Sequence, residues 1–110
     1  MTVTIRLMSD WTLSPHYVDE GDGFFALTDA ETLAERFALP PAVGTTIGAW
    51  NRLYEDNLTW DGIPTARWTD EQAHRRYLDA GRAAARLLRR HVPADVEIEY
   101  LADESVEEHY

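Results

Sequence analysis

A histidine and three carboxylates lie close together near the start of the chain, and these side-chain types bind metal ions. Asp19, Glu20 and Asp22 follow His16 within six residues. A calcium loop places acids at alternate positions and ends on a distant glutamate, and this segment contains only part of that pattern. We therefore interpret it as a solvated acidic turn, and the sequence predicts no metal site and no cofactor.

The chain also lacks a complete set of residues for nucleophilic catalysis. Ser14 stands two residues before His16, but Pro15 lies between them and there is no Gly-x-Ser-x-Gly motif. The chain contains no cysteine, which excludes disulfides, zinc–thiolate sites and thiol nucleophiles. No catalytic residue is predicted. An alternative interpretation is a small pocket enzyme or ligand-binding domain of unknown substrate, which would use Asp10, His16 and Arg67 at the strand ends.

Tryptophans next to acidic residues indicate more about function than the candidate metal-binding and nucleophilic residues do. Trp11 follows Asp10 and Trp60 precedes Asp61, in polar segments without helical or strand periodicity. Tryptophan is enriched among the residues that dominate binding energy at interfaces, although such residues equally close the open end of a small core. The sequence predicts a partner-binding surface with these members: Asp10, Trp11, Asp19, Glu20, Asp22, Glu55, Asp56, Trp60 and Asp61.

Two of these acids end the second predicted helix. Glu55 and Asp56 lie where the helix macrodipole is negative, which is unfavourable for carboxylates. They are therefore expected to face a cation, either Arg67 or a partner, or else to form an ordinary exposed helix end. If they face a partner, reversing both charges slows association, because opposite charges steer the encounter.

The charge distribution indicates which kind of partner fits this surface. The chain of 110 residues has ten arginines, no lysine and 20 acids, a net charge of −10. Residues 1–66 carry −7, residues 67–91 carry +4 and residues 92–110 carry −7. Affinity for a phosphate backbone rests on cations, so nucleic acid is excluded and a basic protein is the best candidate. The basic segment is interpreted as facing the acidic end of the chain or water.

Alternating apolar and polar residues predict a strand at each end of the chain. Ile5 lies on the apolar face of the first strand, and Ile98 lies on the apolar face of the last. Two shorter strands are predicted at residues 16–18 and 24–27. Because helical segments separate the two end strands, we expect these strands to lie side by side in one sheet.

Three helices are predicted between the strands. Thr28 begins the first, with Glu31 completing a capping box. An apolar stripe predicts the second from about residue 42, or only from Thr46, to residue 58. A second capping box begins the third helix, which runs over residues 70–91 with small apolar residues on one side and arginines on the other.

Together these elements predict a two-layer α/β (α+β) sandwich, with a small sheet whose first and last strands are adjacent and three helices on one face. Residues 1–102 are expected to form a single domain, and residues 103–110 are expected to form an acidic, frayed C-terminal tail. Within the domain, residues 57–68 are predicted to form a loop. The predicted core contains the following residues: Val3, Ile5, Leu7, Phe37, Trp50, Tyr54, Tyr77, Ala84, Leu88, Val96 and Ile98.

Several segments resemble a group of small acidic proteins from high-GC actinobacteria, over most of the chain. These segments are Arg6–Trp11, Ser14–Pro15, Trp50 with Tyr54, Asp79–Arg82 and Val96–Tyr100. The resemblance implies no catalytic residue. In size and charge the chain is also similar to immunity proteins that neutralise bacterial toxins. We therefore expect an immunity protein or inhibitor that occludes a basic toxin or nuclease.

Location and assembly follow from weaker observations. No apolar run reaches the roughly 20 residues of a membrane span, and the N-terminus lacks the features of a signal peptide. A cytoplasmic protein that contacts no membrane is expected. A homodimeric housekeeping protein is a further alternative to the binding module.

Overall fold

A computed structural model describes residues 2–9, 14–56, 59–60, 64–65, 71–103 and 106–110. Within these ranges the elements in chain order are β1 (Thr4–Met8), β2 (His16–Asp19), β3 (Phe25–Leu27), α1 (Ala30–Phe37), α2 (Pro41–Asp56), β4 (Thr59–Trp60), β5 (Pro64–Thr65), α3 (Glu71–His91), β6 (Glu97–Asp103) and β7 (Val106–His109). The α+β fold class is as predicted.

The main sheet has five strands in the order β3-β2-β1-β6-β7. The first strand pairs in parallel with β6, and Ile5 lies opposite Ile98. The other pairs in this sheet are antiparallel. This arrangement confirms that the two strands predicted from the ends of the chain are adjacent, and it places their apolar residues on one face.

The helix boundaries differ from the prediction in detail. Asp29, rather than Thr28, is the N-cap of α1, because its Oδ1 accepts the Thr32 N–H at 2.7 Å. Ala38 ends α1 with a φ of 52°. The second helix begins at Pro41 and not at residue 42 or Thr46; a proline fits the first helical position because its missing N–H has no intrahelical acceptor there. It ends at Asp56.

The core lies between the sheet and the helices around three aromatic side chains. Trp50 stacks on Tyr77 with 5.8 Å between ring centroids and meets Tyr100 edge-on at 5.5 Å. All three are at most 1% exposed. Of the predicted core, Ile5, Leu7, Trp50, Tyr77, Ala84, Leu88, Val96 and Ile98 are buried, whereas Val3, Phe37 and Tyr54 pack against the core while partly exposed. The prediction omitted other buried residues, among them Val18, Leu33, Val43, Ile47 and Tyr100.

The C-terminal segment is a strand and not a frayed tail. Residues 106–109 form β7, which pairs with β6 across a register shift between Leu101 and Asp103. Both carboxylate oxygens of Glu108 on this strand lie 3.0 Å from Arg82 Nε and share its single N–H in a bifurcated hydrogen bond. The pairing and this contact attach residues 106–109 to the sheet and to α3.

Part of the predicted loop at 57–68 also forms strands. The short strands β4 and β5 pair antiparallel, with Trp60 opposite Pro64. The remainder of that loop lies outside the described residues.

Candidate partner-binding surface

Two acids of the predicted surface hold the turn between β2 and β3. Asp19 Oδ1 accepts the backbone N–H groups of Gly21 at 2.8 Å and Gly23 at 3.0 Å. These bonds, led by the one from Gly21, lower the pKa of Asp19. Asp22 Oδ1 accepts the Phe24 N–H at 3.0 Å. The two glycines have φ values of 106° and 85°, a conformation that glycine adopts without steric cost.

The third acid of this turn faces a cation on α1. Both carboxylate oxygens of Glu20 accept hydrogen bonds from the Arg36 guanidinium, and the Nη2–Oε2 distance is 2.7 Å. This contact lowers the pKa of Glu20 and raises that of Arg36. Both groups are exposed, so the ion pair contributes little to stability. We call Asp19, Glu20 and Asp22 the turn acids.

The two acids at the end of α2 lie in a different environment. Asn51, which is 6% exposed, donates its Nδ2 hydrogen to Glu55 Oε1 at 3.0 Å. Asp56 is the last residue of the helix and is exposed. Arg67, the cation expected near them, lies outside the described residues. We call Glu55 and Asp56 the helix-end acids.

The structure places the two acid groups at opposite ends of the sheet. Asp19 lies opposite Thr4, the first residue of β1. The Tyr77 hydroxyl lies 2.8 Å from Ser9 Oγ just past the other end of β1, and the Tyr54 ring lies 6.0 Å from the Tyr77 ring. The helix-end acids follow Tyr54 directly. At about 3.3 Å per residue, the length of β1 separates the ends by roughly 13 Å. The turn acids and the helix-end acids therefore form two groups separated by about the length of β1.

Four of the nine residues remain predictions without a described side chain. Asp10, Trp11 and Asp61 lie outside the described residues. Trp60 belongs to β4, but only its backbone is described. Their part in binding is still inferred from sequence.

Two arginines of α3, Arg82 and Arg89, contact residues in the C-terminal part of the chain. Arg82 contacts both Glu108 and Asp79, the latter with an Nη1–Oδ1 distance of 3.2 Å. Arg89 donates to backbone carbonyls, including that of Val96 at 2.5 Å. A bond from Tyr110 and the contacts with Arg82 lower the pKa of Glu108. Arg82 of the basic segment thus faces the acidic C-terminal strand, one of the two outcomes expected from sequence.

His16, central to the alternative enzyme interpretation, is buried. Its side chain is 3% exposed, and burial lowers its pKa despite the Thr28 backbone and the Asp29 charge. Across the described ranges, no three His, Asp or Glu side chains form a group suited to a metal ion. A groove of about 410 Å³ between α2 and α3 has Trp50 in its lining, with Leu53, threonines and alanines around it. No titratable side chain is among these lining residues.

Comparison with known families identifies the kind of protein. The family model described as Serratia CdiI immunity protein-like matches residues 3–103. The chain belongs to this immunity protein-like family. No curated protein matches the chain. The match covers the whole sheet up to the end of β6 and all three helices, and the similarity to immunity proteins expected from size and charge is thereby supported.

The structure of this immunity protein-like chain also shows two residues that the sequence reasoning missed. Phe24 is 70% exposed and Leu27 is 48% exposed, the large apolar side chains most open to solvent in the described part of the chain. A sign was present in the sequence: four apolar residues in a row at 24–27 cannot all face the core of a sheet with one covered face. None of the described helices is long and apolar enough to cross a membrane.

Proposed function

We propose that the chain is an immunity protein that binds a basic bacterial toxin and thereby blocks it. The family match carries this proposal. The net charge of −10 supports the choice of a basic partner, because complementary fields raise association rates and disfavour partners of like charge.

Both acid groups contribute to this field. Within the described residues, no cation lies within ion-pair distance of the helix-end acids, and we propose that their charges attract an approaching partner. Among the turn acids, Glu20 forms an ion pair with Arg36, which partly offsets its charge. We propose that contact at the helix end also uses Trp60, with Trp11 and Asp61 beside it in the predicted surface.

Two experiments test the proposed function: protection of growing cells from the toxin, and binding of the toxin by the purified chain. The products of the genes next to this chain's gene are each produced in cells with and without the chain, and growth is compared; a product that arrests growth is taken as the toxin. A catalytically inactive toxin domain is then titrated with the purified chain by calorimetry. We expect growth only with the chain, and a 1:1 complex. Growth arrest in both strains together with no heat of binding would contradict the proposal.

Association kinetics test the electrostatic part. The isosteric pair Glu55→Gln and Asp56→Asn neutralises the helix-end acids and keeps an acceptor for Asn51. It should slow association severalfold at low salt, and the difference should shrink at 1 M salt, where the screening length is about 3 Å. Arg76→Gln is the matched control of opposite sign, since it makes the chain more acidic; it should leave association unchanged or faster. Equal slowing by both changes would contradict the steering mechanism.

A further inference from the structure

One edge of the sheet has free backbone groups. The Thr28 N–H donates to the His16 carbonyl at 2.9 Å, and Leu27 and Phe25 lie opposite Tyr17 and Asp19. Hydrogen-bonded and non-bonded pairs alternate in an antiparallel ladder. The N–H and C=O groups of Phe25 and Leu27 therefore point away from β2. Within the described residues, no hydrogen bond reaches these groups, so β3 is an open edge.

Apolar side chains surround this open edge. Phe24 and Leu27 are the exposed large apolar residues noted above. The Phe25 ring is held in place, because the Arg6 guanidinium lies 3.7 Å from its centroid and Arg6 Nε contacts Glu99 at 2.9 Å. Rigid aromatic and aliphatic side chains beside free backbone groups are what a strand-adding interface provides.

The opposite edge of the sheet differs. The Tyr110 N–H donates to the Ile98 carbonyl at 2.9 Å, so the backbone groups of Glu107 and His109 point outward from β7. Both side chains are more than 60% exposed. Charged and polar side chains on an edge discourage strand addition. Only the β3 edge of the described sheet combines free backbone groups with exposed apolar side chains.

The charge near β3 indicates which kind of strand would pair with this edge. Residues 19–31 contain five acids and no arginine or lysine. Asp22 precedes the strand, and Asp29 and Glu31 follow it, all exposed. In an antiparallel pair of two copies centred on Ala26, Asp22 of one copy would lie near Asp29 and Glu31 of the other. Like charges therefore disfavour self-pairing and favour a cationic strand.

We propose that β3 binds an extended segment of the toxin that carries lysine or arginine, which pairs antiparallel or parallel with β3 as a sixth strand of the sheet. This proposal rests on the proposed function and adds the mode of recognition. The toxin's backbone bonds with Phe25 and Leu27, its apolar side chains pack on Phe24 and Leu27, and its cations face the flanking acids.

Three variants separate backbone pairing from side-chain contact. Leu27→Ala removes the side chain only, while Leu27→Pro also removes the outward N–H and leaves the Thr28–His16 bond intact. His109→Pro makes the same backbone change on the β7 edge. Binding of each folded variant to the inactive toxin domain of the binding experiment above is measured by calorimetry, with folding checked by circular dichroism.

We expect Leu27→Pro to weaken binding roughly fivefold beyond Leu27→Ala, since a hydrogen bond contributes about 1 kcal/mol, and His109→Pro to bind within about twofold of wild type. Amide hydrogen exchange on the wild-type complex gives a second measurement that needs no variant: the Phe25 and Leu27 amides should become protected, and the His109 amide should not.

Equal affinity of Leu27→Pro and Leu27→Ala, with unprotected amides at Phe25 and Leu27, would overturn strand addition while leaving the immunity function standing. Absence of binding by the wild-type chain would instead overturn the immunity function. If the chain alone sediments as a dimer that Leu27→Pro converts to a monomer, a second copy occupies the edge and the proposal is wrong.

Discussion

Replacing Gly81 with alanine is expected to destabilise the protein, although alanine is the better helix former. A Cβ at Gly81 would overlap Oη and Cζ of Tyr100 and lie 2.5 Å from its Cε1. Tyr100 is fully buried, and its hydroxyl donates to the Leu78 carbonyl at 3.2 Å. Trp50 lies against the same ring. The tyrosine therefore has no free space into which it can move.

Two opposing contributions set the magnitude. Alanine favours the helix by about 1 kcal/mol over glycine. An additional carbon in a packed core costs about 1–3 kcal/mol, and overlap with a ring held by neighbours on several sides places the cost near the upper end. We expect the free energy of unfolding to fall by about 2 kcal/mol.

Urea unfolding followed by tryptophan fluorescence measures this change. Gly48→Ala is the matched control, because a Cβ there meets no atom within 4 Å and only the helical gain remains. In a Tyr100→Leu background, which removes the overlapping atoms, Gly81→Ala should cost less than in the wild type. If Gly81→Ala raised stability as Gly48→Ala does, the reasoning from close contact would be refuted.

Three further substitutions test the core and its response to pH. Trp50→Ala should lower the free energy of unfolding by about 3–5 kcal/mol in the same titration; a loss under about 1 kcal/mol would mean that the indole is not a core side chain. Tyr77→Phe, which leaves the Ala102 carbonyl without its 2.9 Å donor, should cost about 1–2 kcal/mol. Burial lowers the pKa of His16 below its ordinary 6.5, so the unfolded chain takes up a proton first. The free energy of unfolding should then decrease as the pH is lowered below about 6.5, by at most about 1.4 kcal/mol per pH unit. His16→Gln should lose that part of the slope in unfolding measured at pH 7.0 and 5.5, and an unchanged slope would exclude His16 as its source.

The core and the central strand pair were predictable because each depends on a local pattern. Alternation around Ile5 and around Ile98 fixed which side of each strand is apolar, and only one face of the sheet is covered by helices. The helical stripe that includes Trp50 likewise placed this residue in the core. These patterns repeat every two or every 3.6 residues, so nearby residues together indicate which face of the strand or helix is buried.

The C-terminal strand and the division of the acids depend on distant residues instead. Acids at 103–108 suggested a solvated tail, but Glu108 is held by Arg82, 26 residues earlier. Which end of the sheet an acid occupies depends on strand direction and order, and no spacing along the chain reports it. The cap at Asp29 rather than Thr28 is a smaller case, because both residues are good caps and only the backbone conformation decides between them.

The parallel pairing of β1 with β6 also governs when this fold is able to form. Thr4 lies opposite Glu97, and closing a loop of that length costs about 4 kcal/mol of chain entropy. Such high contact order slows folding. During synthesis, β1 has no partner on one side until β6 leaves the ribosome, so the nascent chain presents an apolar strand edge to chaperones and to other nascent chains. Under the proposed function, protection by a newly made molecule would begin only after translation has passed β6, and a cell that relies on this protein would need a folded supply before it meets the toxin.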